Sequence, residues 1–145
     1  MKKILMVALV LVATLSAHAA LFINNNTACD RSLYIYASDA NLPGPCSYYI
    51  WLKVPAGTSQ AYNNTGALNA PGYVWRDASV GPAGYITMQA NGSWDAASLT
   101  PYPATPEVGR AGSCAPGNMV TVTAGCPYIL TWTSLGGGNV LVDIN

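Results

Sequence analysis

The chain has 145 residues, of which 51% are hydrophobic and only 8% charged, with six Lys and Arg against six Asp and Glu. So sparse and balanced a charge excludes the basic footprint of a nucleic-acid binder and the polybasic segment of a protein held on an anionic membrane. The wealth of apolar residues excludes a disordered chain, and the length fits one domain.

At the start, Lys2 and Lys3 precede an apolar run, Ile4 to Leu15, followed by Ala17-His18-Ala19. A charged beginning, about a dozen apolar residues and small residues at the −3 and −1 positions form the pattern of a secretory signal peptide. The run is shorter than the roughly 20 apolar residues of a membrane span. Residues 1–19 are therefore expected to be a cleaved signal, with residues 20–145 forming a single secreted domain, periplasmic or extracellular, with a bacterial style of leader. Cleavage would remove Lys2, Lys3 and the only histidine, His18. Four basic residues (Arg31, Lys53, Arg76, Arg110) and six acidic ones (Asp30, Asp39, Asp77, Asp95, Glu107, Asp143) would remain, a net charge of −2.

Beyond residue 19, short runs rich in Val, Ile, Thr, Tyr and Trp alternate with Gly and Pro, the pattern of an all-β domain. Strands are expected near 20–24, 31–38, 47–54, 58–63, 73–79, 84–90, 118–124, 128–134 and 139–144. Eight or nine short strands in one domain predict a two-sheet antiparallel β-sandwich of Ig-like or jelly-roll kind, with a small β-barrel as the alternative. "VPAGTS" at 54–59 and "SLGGGN" at 134–139 read as turns, the second closing a C-terminal hairpin. Residues 91–117 carry four prolines and no alternation. A loop of that length inside a domain is usually functional, although it has room for an edge strand or for a lid across one sheet.

Cys29, Cys46, Cys114 and Cys126 form an even set in an exported chain and read as two disulfides. Loop-closure entropy favours the local pairs Cys29–Cys46 and Cys114–Cys126, each contributing about 3 kcal/mol in the chain-entropy account. Geometry objects, because each pair brackets a strand whose ends lie ~20 Å apart, whereas bridged Cα atoms sit ~5–6 Å apart.

Side chains alternate faces along a strand. In 47–54, Tyr48, Ile50, Leu52 and Val54 make an apolar face, and Ser47, Tyr49, Trp51 and Lys53 make a polar one. In 31–38, Leu33, Ile35 and Ala37 oppose Ser32, Tyr34, Tyr36 and Ser38. If the two strands share a sheet, Tyr34, Tyr36, Tyr49 and Trp51 form an outward aromatic platform, with Trp94 on the long loop as a further contact. Such rings stack on the apolar faces of sugars and anchor protein partners; they also stabilise sheets with no ligand at all. Trp132, beside Leu130 in "YILTWTS", is expected in the core, while Trp75 fits either side.

Catalysis finds few parts. Without histidine neither a Ser-His-Asp nor a Cys-His arrangement can be built after cleavage, oxidised cysteines supply no thiolate, and only Asp95 and Glu107 share a loop as a carboxylate pair of glycosidase type. No metal-ligand spacing and no cofactor motif occurs. Asn25, Asn63 and Asn91 head N-x-[ST] triplets that would matter in a eukaryotic secretory pathway. The sequence thus predicts a secreted, non-enzymatic protein that binds a glycan or an extracellular partner. Two alternatives are a structural protein self-assembling through edge strands such as "NVLVDI" and an inhibitor of another secreted protein.

Overall fold

A computed structural model describes residues 19–145. The charged start and apolar run of the expected export signal lie outside the described residues. Wherever a segment offers apolar side chains at every second position it becomes a strand with one buried face. Tyr48–Val54 buries Tyr48, Ile50, Leu52 and Val54 and leaves Trp51 and Lys53 outside. Asn139–Ile144 buries Val140, Val142 and Ile144 in the same alternating way.

In chain order the strands are β1 (Leu21–Asn25), β2 (Arg31–Ser38), β3 (Tyr48–Val54), β4 (Thr58–Tyr62), β5 (Trp75–Asp77), β6 (Tyr85–Ile86), β7 (Ser93–Ser98), β8 (Val108–Gly109), β9 (Met119–Val122), β10 (Tyr128–Gly136) and β11 (Asn139–Ile144). A 3-10 turn, Thr65–Asn69, follows β4; the side chain of Asn64 accepts from the Ala67 amide, and Leu68 enters the core. The strands form two sheets, one ordered β4-β1-β11-β10-β9 and the other β6-β5-β3-β2-β7-β8. The expected two-sheet β-sandwich is therefore the fold. All pairings among the described strands are antiparallel except β1 with β11, which run parallel, Leu21 opposite Val140.

Between the sheets lies one apolar layer. It takes Leu21 and Ile23 from β1, Leu33 and Ile35 from β2, the inner face of β3, Leu130 and Trp132 from β10 and the inner face of β11. Burying each of these large side chains contributes about 1.5–3 kcal/mol. Trp132 faces inward as expected, and Trp75, which the sequence leaves undecided, is buried as well.

Three expectations need correction. The local disulfides do not form: the bridges are Cys29–Cys126 and Cys46–Cys114, with Cα atoms 6.7 and 6.1 Å apart. The geometric objection prevails over loop-closure entropy, because an eight-residue β2 and its following loop hold Cys29 and Cys46 near opposite ends of the sandwich. In the chain-entropy account, closing loops of 97 and 68 residues contributes about 4–5 kcal/mol each, more than the local pairs would have given. Second, residues 91–117 are not one loop: they contain the edge strand that the segment had room for, β8, and also an unexpected inner strand, β7, which together complete the six-stranded sheet. Strand β7 escapes the period-2 pattern for two reasons. It is buried on both faces, and its pairing with β2 slips by one residue between Tyr36↔Ala96 and Ala37↔Trp94, a β-bulge at Asp95. Third, "NVLVDI" is no edge: β11 is hydrogen-bonded to β1 on one side and β10 on the other.

Two disulfides fit an oxidising compartment, and among the described residues no helix is long and apolar enough to cross a membrane. Asn25 is fully buried, its side-chain amide donating to the carbonyls of Cys29, Val54 and Pro55, so its sequence triplet serves the turn after β1.

Candidate functional site

The outer face of the six-stranded sheet is built row by row from strand register. One row crosses the sheet as Tyr85, Arg76, Tyr49, Tyr36, Ala96 and Gly109, each opposite the next. The next row contains Trp51, Tyr34 and Ser98. Strands β2 and β3 are thus neighbours, and Tyr34, Tyr36, Tyr49 and Trp51 do share one face. The three tyrosine rings form a connected group, with Tyr49 6.4 Å from Tyr34 and 6.1 Å from Tyr36.

The row is divided by what lies over it. The stretches on either side of β8, residues 99–107 and 110–117, fold back over the β2–β7–β8 half of the sheet. Tyr102 stacks on Tyr49 at 4.3 Å with the planes 8° apart, and its hydroxyl donates to the Ala78 carbonyl at 2.6 Å. Cys114 and Ala115 pack on Tyr36 and Ala96. Small residues make the close approach possible: a Cβ on Gly109 would stand 2.5 Å from Ser113 Oγ and 2.6 Å from the Asp95 carbonyl. The Cys46–Cys114 bridge ties this cover to the start of β3. Tyr36 and Tyr49 are consequently only 3% exposed. Burial, with smaller contributions from the neighbouring tyrosines Tyr102, Tyr34 and Tyr49, pushes the Tyr36 hydroxyl up to about 12.

The cover leaves the other half open. Trp51 stands 51% exposed while the remaining three tryptophans are at most 2% exposed. Beside it is a shallow depression of about 280 Å³ lined by Tyr34, Tyr49, Trp51, Arg76, Pro82 and Tyr102. The stacked Tyr49 and Tyr102 form one side of it. On the far side the Arg76 guanidinium lies 4.9 Å from the centroid of the Tyr85 ring, a cation–π contact that holds the fork in place. Lys53, two residues beyond Trp51 on the same face, sits 3.2 Å from Asp30 in an exposed ion pair. The Asp30 carboxyl is held below the usual carboxylate range, first by the Ala56 amide and then by Lys53.

Trp94 is elsewhere. It points to the interior from β7, 2% exposed and 6.1 Å from Trp75, and its indole N–H donates to the Ala19 carbonyl at 2.7 Å. The expectation of a loop contact fails because residues 93–98 are strand. Residues the sequence reading did not single out complete the depression: Arg76, Pro82 and Tyr102. Alternation around a buried Trp75 would have placed Arg76 outside; nothing in the local pattern marks Tyr102, whose position depends on how the segment folds back.

The two carboxylates of the long segment have separate duties. Asp95 is fully buried. It accepts from the Cys46 amide at 2.8 Å and pairs with Arg110, whose Nε is 2.9 Å and Nη2 2.6 Å from Oδ1. Glu107 accepts from the Leu99 amide, the Thr100 hydroxyl and the Tyr128 hydroxyl at 2.9, 2.6 and 3.3 Å. Both fasten the cover. A larger depression, about 520 Å³, opens between β8 and β10 around Gly109, Arg110, Asn118, Trp132, Thr133 and Ser134; its one charged side chain is committed to Asp95. Among the described residues no three His, Cys, Asp or Glu side chains gather as a metal-binding group.

Comparison with known proteins yields no relative: no family model, no curated protein and no solved structure matches this chain.

Proposed function

We propose that this chain is an exported, non-catalytic binding protein that takes a saccharide on the open half of the six-stranded sheet's outer face. The observation that carries the reading is the selective exposure of Trp51, the one tryptophan in solvent among four, in the lining of a depression shared with Tyr34, Tyr49, Tyr102 and Arg76. A flat indole supplies the apolar surface on which a pyranose ring stacks. Tyrosine hydroxyls and a guanidinium supply the polar edges that fix its orientation. The Cys46–Cys114 bridge and the stacked aromatics brace this surface, which lowers the ordering cost of binding.

The test falls on Trp51. Because it is the exposed indole, its fluorescence and its quenching by iodide report on the site directly. A panel of oligosaccharides should change the signal of the natural chain, and Trp51→Ala should abolish binding while stability changes by within about 1 kcal/mol. Tyr49→Ala would not discriminate, since Tyr49 is buried under Tyr102 and its loss would unseat the cover. Undiminished saccharide binding by Trp51→Ala, or no binding by the natural protein across the panel, refutes the reading.

A further inference from the structure

We infer that the saccharide taken at this site is an acidic one, a chain of sugars carrying carboxylates, bound along β3 with Trp51 between two cations. The inference rests on the binding reading above and assigns the ligand's chemical class. It begins with where the positive charge lies. The described residues hold four cations: Arg31, Lys53, Arg76 and Arg110. Two are used by the fold. Arg110 is locked to buried Asp95. Arg31 lies over the Tyr128 ring at 4.8 Å and donates from Nη2 to the carbonyls of Cys126 and Pro127. The other two flank the one exposed tryptophan. Arg76 is directly opposite Tyr49, and Lys53 follows Trp51 by two residues on the same strand face. Successive outward positions on a strand are about 7 Å apart, so along β3 the face reads Tyr49, Trp51, Lys53, with Arg76 beside Tyr49 on the neighbouring β5; a cation thus lies on each side of Trp51.

Arg76 is the residue that selects. Among the described residues the ion pairs are Lys53–Asp30 and Arg110–Asp95, and neither involves it. Asp77, its neighbour in sequence, faces the opposite side of β5 and is satisfied by the Ser79 amide and hydroxyl at 2.8 and 2.6 Å. The Arg76 guanidinium is stacked against Tyr85, so it is oriented in advance, while its N–H edges remain available. A planar fork held against an aromatic ring matches a carboxylate, with two parallel charge-assisted hydrogen bonds. A neutral sugar on Trp51 would cover the guanidinium and give it no anion in return. Lys53 adds a second, more yielding charge: its partner Asp30 is exposed, as it is itself, and such pairs are weak in water, so Lys53 can turn to an incoming carboxylate. The attraction of a carboxylate to these two cations is sensitive to salt.

Short oligomers of galacturonic acid and of mannuronic acid, each beside its methyl ester, separate the classes. The intrinsic fluorescence of the natural chain is titrated with all four at low and at high salt, and the same is done for Arg76→Gln and Lys53→Gln. The expected result is that one of the free acids binds about tenfold or more tighter than its ester at low salt, and that the preference shrinks in high salt. Arg76→Gln should erase the preference, weakening the free acid far more than its ester; Lys53→Gln should reduce it less. Equal binding of acid and ester, or a preference that survives Arg76→Gln, overturns the inference and leaves the saccharide site standing. Failure of both acids and both esters to bind, while another member of a neutral saccharide panel does, also overturns it. If nothing in either panel binds, the site reading and the inference fall together.

Discussion

At the scale of single residues, the most consequential side chain outside the depression is Asp95. It occupies the bulge of β7, fully buried, and holds two distant pieces of backbone and side chain, the Cys46 amide and the Arg110 guanidinium. Cys46 adopts a positive φ of 60°, a conformation that non-glycine residues seldom take, and the carboxylate stabilises the amide of that same residue. The pair is asymmetric in burial: the Arg110 side chain is 39% exposed and the Asp95 side chain 0%. Removing the arginine therefore strands a buried anion, whereas neutralising the aspartate leaves a guanidinium that can turn to water. Arg110→Leu should destabilise by about 3–5 kcal/mol, the usual cost of leaving one member of a buried pair alone. Asp95→Asn, which keeps an oxygen for the Cys46 amide, should cost about 1–3 kcal/mol. Chemical denaturation of the two variants measures both. An equal or inverted order would mean that the bulge holds without the ion pair.

At the scale of elements, the segment from Leu99 to Gly117 covers half of one sheet face and so decides how much of the aromatic platform meets solvent. It is fastened at its far end by Cys46–Cys114, in the middle by Arg110 on Asp95, and near its start by Tyr102 on Tyr49. It contains one trypsin site, Arg110. Replacing Cys46 and Cys114 by Ser should let the cover open locally and expose that bond, since proteolysis follows the population of opened states. Limited trypsin digestion read by mass spectrometry should give early cleavage after Arg110 in this variant. In Cys29→Ser/Cys126→Ser, where the lost bridge joins the turn after β1 to the turn before β10, the same bond should persist as long as the fold does. The cover also explains what sequence reasoning could and could not find. Alternation places Tyr34 and Trp51 on an outward face correctly, because β2 and β3 each have a clearly apolar opposite side. It cannot see Tyr102 or the burial of Tyr36 and Tyr49, because those depend on a chain segment folding over the sheet. Nor can it find β7, whose residues are buried from both sides, or the disulfide partners, which depend on strand order and not on sequence distance.

At the scale of the whole molecule, the two sheets differ in how they meet water. The five-stranded sheet leaves its outer face bare, with Phe22 and Ile129 about two-fifths exposed, while the six-stranded sheet is half roofed and places tyrosines in both the main core and the smaller cluster beneath the roof. This distribution makes alkaline pH, more than acid, the condition that tests the fold. Tyr36, Tyr48 and Tyr128 are each pushed up to about 12: Tyr36 and Tyr48 chiefly by burial, with Asp39 adding to Tyr48, and Tyr128 by burial together with Glu107. Their hydroxyls hold the proton more tightly in the folded state than the ordinary value of about 10 in an unfolded chain. Stability from this source is fully present below about pH 10 and is lost as pH rises through about 12, because the unfolded chain ionises first and is favoured by each proton released. Three such groups act together, one in the main core, one under the roof and one beside the Glu107 anchor, so their ionisation should coincide with loss of tertiary structure. Following tyrosinate absorbance and near-ultraviolet circular dichroism on the same alkaline titration checks this. Tyr36, Tyr48 and Tyr128 should titrate in a steep step above pH 10 together with the loss of the dichroism signal. A smooth titration of every tyrosine near pH 10 with the dichroism intact would mean that the roof and core admit water around these rings, and that the rigid platform proposed for the ligand is not rigid.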